Sequence, residues 1–545
     1  LFARKLRRVA IMSMSSLLVT AAVAACGSGN ASSSADAGSP VHGGTLTFYD
    51  PVEYAAWKPT NSLWSNSQVA NNIAERLVWQ DPETGEFRPW LAESYEIGDD
   101  HLSYTFTLRE GVTFSDGTPL DAEVVKLNFN QHGYGDPARG ITKDPFWVNY
   151  VGTDVVDDRT LVVRLSEPNA GFLQVLSNYR ASSILGRATV ELDLNGQSDL
   201  RNWVGTGPFV VESVSGTNGV TLKRREGYDW APEGSAHTGE AYLERIVFKT
   251  VPEAGTRVGA LLSGEAHIAR NIAPYDEETV TAGGAELVAI PVQGETNDLT
   301  IQLFDPESPV QDKAVRLALQ AATDRKTINE AVLSPSYGIP TSALVAGTPL
   351  RGDSSEYLEH DLDRAKALLD EAGWKPGPDG IREKDGKRLS FHIRVAPYYQ
   401  VSQSVLEVLQ SQWREAGVEI QLSKPSLTDY EAQLASAPDF YFAQGQTSTA
   451  EPGVLWTAYG VDRQNVTRNV VPGTTLEALL AAQAVEFDPE RRREAVQAVE
   501  DRIFSEGYSI PLYDETQVFG ISPKVQGFAT ESTARSWFYD TWIAE

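Results

Sequence analysis

The sequence predicts an α/β protein built in more than one lobe, and three observations lead there. Between Leu389 and Leu422 an alternating run, a helical run and a second alternating run follow one another with short connections. Upstream, Tyr95 to Leu127 reads as a β-rich module of a different kind. At 545 residues, and with roughly 150 residues per domain, the chain has room for three or so domain equivalents, or two large lobes with an elaboration.

The N-terminal residues are set aside from the fold. Arg4, Lys5, Arg7 and Arg8 precede an apolar run from Val9 to Ala25, which ends in Ala24-Ala25-Cys26-Gly27. Charged, apolar and small residues in that order make a secretory leader. The pattern looks like a bacterial lipoprotein signal, in which Cys26 is lipidated and becomes the first mature residue. Residues 27–42 are small and polar without apolar periodicity, so they read as a flexible tether. The first strand is expected from Gly43 to Phe48. In the β-rich module Tyr104, Phe106 and Leu108 alternate, Ser115-Asp116-Gly117-Thr118-Pro119 is a turn, and Asp121 is placed to cap a helix carrying Val124, Val125 and Leu127. Gly205-Thr206-Gly207 lacks a third glycine and a following helix, so it reads as a bend and not as a phosphate loop.

Farther on, a helix is expected from about Asp312 to Val332. Asp361 is placed to cap another, stopped by Gly373 and Pro376. Leu389, Phe391, Ile393 and Val395 then alternate, Val405, Leu409 and Trp413 recur at helical spacing, and Val418, Ile420 and Leu422 alternate again. Strand, helix and strand so connected predict two parallel strands with a right-handed crossover.

Composition excludes several functions. A net charge of −28 argues against nucleic acid, whose phosphates need a basic surface, and against electrostatic docking on anionic lipid. No apolar run after the leader approaches the roughly 18 residues that span a bilayer. Cys26 is the single cysteine, so disulfides and thiolate metal sites are not expected. Seven histidines form no H-E-x-x-H pair, and no G-x-S-x-G or S-x-x-K constellation occurs. An enzyme, a metal site and a cofactor are therefore not expected.

The block Leu91-Ala92-Glu93-Ser94-Tyr95, continuing through Tyr104-Thr105-Phe106-Thr107-Leu108-Arg109-Glu110-Gly111-Val112-Thr113-Phe114-Ser115-Asp116-Gly117-Thr118-Pro119, resembles the extracellular solute-binding proteins of peptide, nickel and opine ABC importers, family 5. Gly205-Thr206-Gly207-Pro208-Phe209, Arg225-Glu226-Gly227-Tyr228-Asp229-Trp230 and Asp363-Arg364-Ala365-Lys366 extend the likeness toward the C-terminus. The resemblance implies a bilobed periplasmic-binding-protein-like fold of class II, with two α/β lobes joined by a two-crossing hinge. Lobe I would take residues 43–75, 195–292 and 507–545, an inserted domain 76–194, and lobe II 293–506. Crossings would lie near Val292–Asn297 and Tyr508–Leu512.

Function follows as an expectation: a monomeric, membrane-tethered receptor that captures peptides in the inter-lobe cleft and hands them to an ABC permease driven by cytoplasmic ATPases. A nickel chelate or another non-peptide solute is the alternative, and a secreted hydrolase the more distant one. The residues expected to line the cleft are Trp64, Asn66, Tyr179, Arg180, Asn297, Gln444, Gln446, Ser448, Glu451 and Trp456. Dipeptide receptors of this family carry an arginine after the strand matching Leu389–Val395, where this chain has Ala396-Pro397. They also carry an aspartate for the ligand amine, where this chain has Ser448. Longer peptides are therefore expected, with Glu451 as the candidate partner for an amine and Arg180 for a carboxylate.

Overall fold

Thr45–Asp50 forms the early strand expected from the sequence, and it lies inside a seven-stranded sheet. It pairs in parallel with Arg245–Thr250 on one side and Ile268–Arg270 on the other. Gly219–Arg224 and Phe209–Val214 extend the first side, and Thr516–Ile521 and Glu286–Pro291 extend the second. Phe48 is fully buried, its ring 5.3 Å from Phe248 and 5.9 Å from Phe538. The structure is a computed structural model in which residues 39–54, 57–60, 66–460 and 473–545 are described; Cys26 and Trp64 lie outside them. Among the described residues no helix is long and apolar enough to cross a membrane.

One sheet thus gathers strands from before residue 51, from 209 to 291 and from 516 onward, so the chain makes two excursions from it. The first holds a four-stranded antiparallel sheet in the order Ala92–Ile97, Ser103–Leu108, Thr160–Leu165, Tyr150–Val155. Tyr104, Phe106 and Leu108 are the buried side of that hairpin, as their alternation predicts. Asp121 accepts a 2.8 Å bond from the Val124 amide and caps Ala122–Tyr134. Gly205 and Gly207 mark a tight crossing of backbones. A Cβ on Gly205 would lie 2.0 Å from the Ile73 carbonyl oxygen, and one on Gly207 2.6 Å from that of Asn72.

The second excursion holds Phe442–Gly445, Asn297–Ile301 and Ser509–Tyr513 as an antiparallel sheet. Beside it lies the predicted unit: Ser390–Arg394 and Glu419–Ser423 are parallel, and Ser402–Glu415 is the helix between them. Val405, Leu409 and Trp413 are its buried face. Asp361 caps Leu362–Glu371 by accepting from the Arg364 amide at 2.8 Å. The single helix expected from Asp312 to Val332 is instead two, Lys313–Ala321 and Arg325–Val332. Asp324 breaks it by leaving helical geometry to cap the second piece through the Thr327 amide.

The terminal stretch 507–545 differs from its expected assignment. Ser509–Tyr513 pairs with Asn297–Ile301 and belongs to the three-stranded sheet, and only from Thr516 does the chain rejoin the seven-stranded one. The second crossing is therefore Asp514–Glu515, beyond the expected Tyr508–Leu512. The physical reason is burial: Ile510 and Leu512 pack with Leu299, Ile301 and Phe442, and leaving the sheet earlier would expose them. The first crossing runs between Pro291 and Asn297.

Candidate functional site: the cleft beside the two crossings

The two excursions touch each other. Gln80 Nε2 donates to the Ala450 carbonyl at 3.0 Å, and Ser532 Oγ donates to Gln80 Oε1 at 3.3 Å. Gln293 donates to the Pro82 carbonyl at 3.1 Å, and the Ala170 amide to that of Ala484 at 2.9 Å. His101 stacks on Phe487 with centroids 3.7 Å apart. Residues 80–101 and 170 are thereby closed against 450 and 484–487.

The first crossing is pressed against the stretch expected to meet ligand. Gly294 has φ +133°, and a Cβ there would lie 2.2 Å from the Thr447 carbonyl oxygen and 3.1 Å from Ser448 Cα. The Glu295 amide donates to that same carbonyl at 2.9 Å. Gln444 and Asn297 are brought together, Gln444 Nε2 donating to Asn297 Oδ1 at 2.8 Å while Ser402 Oγ donates to Gln444 Oε1. Gln446 Nε2 and Thr449 Oγ1 are buried with no hydrogen-bond partner among the described residues. Such orphans are uncommon in folded proteins, where buried polar groups pair with protein, water or a ligand. Ser448 stays partly exposed beside Gly294.

Three carboxylates gather here, none of which forms a salt bridge among the described residues. Asp298 accepts from Tyr459 at 3.1 Å, from Thr300 at 3.0 Å and from Ser509, yet burial pushes its carboxyl up to about 7. Burial and then the neighbouring Asp298 raise Glu295 strongly. Glu515 is pushed up to about 7 by burial, with the Tyr513 hydroxyl and Asn297 amide favouring its ionised form. Tyr399 feels all three carboxylates, Glu515 most.

A second group of ions is basic. Arg535 is fully buried, bonded to Glu531 at 3.1 Å and to Thr533, with its guanidinium 5.4 Å above the Tyr179 ring. Arg180 lies 5.5 Å above Phe146; burial lowers its pKa, Asp144 opposes that and Arg535 adds to it. Arg76 donates to Asn71 at 2.7 Å and to the Ser177 carbonyl at 3.1 Å. Tyr179 and Arg180 thus sit beside a cation that the sequence did not single out, with Asp144 as a neighbouring counter-charge. Asn66 is buried at the start of Ser67–Ala70.

Glu451 has another occupation than the one expected. Both carboxylate oxygens are engaged, Oε1 by Arg492 and Oε2 by the Gly453 amide. It holds the turn before Val454–Tyr459, on which Trp456 packs half-buried against Leu455 and its neighbours. Glu295, Tyr399, Tyr513, Glu515 and Arg535 escaped the sequence reading. The one local signal for Arg535 is Ala534, whose φ of +61° is rare for a residue with a side chain, and it is invisible in sequence.

Residues 86–466 match the model of the bacterial extracellular solute-binding proteins, family 5. The chain belongs to this family. As a member it is an extracytoplasmic substrate-binding protein of an ABC importer. The glutathione-binding protein GsiB of Salmonella paratyphi A is 27% identical over 498 residues, covering 89% of this chain and 90% of that protein. GsiB of Escherichia coli K12 is 26% identical over 509 residues, with the same coverage. These relatives are named as binding proteins, not as enzymes. NikA from Brucella suis in complex with Fe(III)-EDTA superposes with a TM-score of 0.78 at 24% identity, covering 92% of this chain and all of that one. The oligopeptide-binding protein AppA from Bacillus subtilis, in complex with a nonapeptide, gives 0.74 at 18%, with 93% and 100% covered. Those two likenesses establish the fold, the bilobed class II α/β architecture that the sequence predicts.

Proposed function

We propose that this receptor captures peptides longer than dipeptides between its two α/β parts and delivers them to a membrane permease by hinge closure, anchored through lipid on Cys26. The observation that carries this reading is the presence of two groups of buried ionisable side chains of opposite sign. Three carboxylates without a salt bridge among the described residues flank the crossings, and buried arginines gather around Tyr179. A peptide carries both an ammonium and a carboxylate, and so complements both groups.

Relatives support the class. GsiB at 27% identity is named for glutathione, itself a tripeptide. The chain also lacks the two side chains that hold dipeptides, having Ala396-Pro397 and Ser448 in their places. Closure follows from contacts a ligand makes only when the two parts meet, and Gln80 to Ala450 and His101 to Phe487 are the protein's own share of them.

Native mass spectrometry of protein purified without unfolding tests the reading. A bound mass lost on denaturation and sequenced as peptide of three or more residues is expected. A bound metal chelate or other non-peptide solute in its place would overturn it.

A further inference from the structure

We infer that Glu515, set among Tyr337, Tyr399, Tyr513 and Asn297, is the seat of the ligand's cationic group, an ammonium for a peptide. This rests on the peptide reading above and moves the amine partner away from the segment around Ser448 and Glu451.

The case begins with what is unmet. Glu515 Oε2 is a buried carboxylate oxygen with no arginine or lysine bridged to it among the described residues, and the groups within hydrogen-bonding influence of that carboxylate are neutral, the Tyr513 hydroxyl and the Asn297 amide. Tyr513 is 1% exposed and Asn297 0%, so water does not reach these groups from outside in the closed form. They are neighbours, since the Tyr513 hydroxyl and the Asn297 amide are the groups acting on the Glu515 carboxylate. Glu515 and Tyr399 keep partial exposure although burial is the main influence on both. Surface that is accessible yet heavily desolvated lines the inside of a cleft.

Charge then selects the occupant. Glu295 and Asp298 act on Tyr399 together with Glu515, so three carboxylates face one phenol with no arginine or lysine bridged to them among the described residues. Buried carboxylates need a proton or a cation. An anionic ligand head would be repelled and a neutral donor would leave the carboxylates without a counter-charge, whereas an ammonium donates to Oε2 and to the Tyr513 oxygen and supplies that charge. The aromatic rings suit the same group: Tyr337 and Tyr513 stand at 73° with centroids 6.1 Å apart, and ring faces attract ammonium.

The other acids nearby have their own partners. Asp514, next in the chain, has Oδ1 unpaired among the described residues, but its Oδ2 accepts from the Ala346 amide at 3.3 Å and Arg351 acts on it as a counter-charge. Glu451 is held by Arg492. The hinge strand thus presents one carboxylate, Glu515, to the cleft. Because it lies at the crossing itself, its pairing with ligand charge is made only as the two parts close.

Calorimetry on the full chain, freed of any carried ligand, tests this with trialanine, N-acetyl-trialanine, glutathione and N-acetyl-glutathione. The unsubstituted protein is expected to bind at least one free-amine peptide tenfold or more tighter than its acetylated partner. Glu515→Gln should remove most of that preference, with the acetylated peptide's affinity little changed, and Tyr513→Phe should reduce it. A thermal melt of each variant excludes misfolding. Equal affinity for free and blocked amines, or a preference that Glu515→Gln leaves intact, overturns the inference while the peptide reading stands. Binding of none of the four overturns both.

Discussion

Glu451 shows how far a residue's role depends on partners distant in sequence. As a lone acid near a predicted ligand segment it reads as a group for an amine. In the folded chain Arg492, from the helix Pro489–Ser505, reaches it, and both side chains are at most 10% exposed. Removing one member of such a pair strands the other charge in a dry place, which costs about 3–5 kcal/mol. Glu451→Ala is therefore expected to lower unfolding stability by about 3 kcal/mol in urea titration. A change below about 1 kcal/mol would show that the pair is solvated. Arg180, expected from the sequence as the partner of a ligand carboxylate, stands near Asp144 in company with Arg535.

At the level of elements, local chemistry was legible wherever it acts within a few residues. Asp121 and Asp361 cap the helices they precede, and the strand, helix and strand from Ser390 to Ser423 follow from periodicity alone. The boundary at 507 was not legible, because Ile510 and Leu512 have the same buried pattern in either sheet and only pairing with Asn297–Ile301 decides. The same limit hid Glu515, whose neighbours Tyr337, Tyr399 and Asn297 come from three separate segments. These crossing elements make stability depend on pH. Asp298 and Glu515 are raised to about 7 and Asp514 to about 6, from 3.8 or 4.5 in the unfolded chain. Between those limits the native state holds protons that the unfolded chain releases, so stability is present at low pH and is lost as pH rises through the folded values. The phenols facing them, Tyr337, Tyr399, Tyr459 and Tyr513, are raised further above that window, Arg351 faces Asp514, and Glu295 is raised in the same direction as the three acids. The melting temperature of ligand-free protein is expected to fall from pH 5 to about pH 7.5, with a shallower slope in Glu515→Gln. A flat or rising profile would show these carboxyls to be solvated.

For the whole molecule, the backbone passes between the seven-stranded sheet and the excursion after Pro291 at 292–296 and at 514–515. Two short crossings permit a hinge, and contacts such as Gln80 to Ala450 and His101 to Phe487 are those that opening would break. Phe48, Trp90 and Phe538 share one hydrophobic core, while Leu299, Phe391 and Trp413 share another that also takes in Ala269, Ile272 and Val518 from the side of the seven-stranded sheet. Small-angle X-ray scattering of ligand-free protein, before and after saturation with a peptide that calorimetry shows to bind, tests this capture by closure most directly. The account predicts a smaller radius of gyration in the bound state. An unchanged or larger radius at full saturation would contradict it.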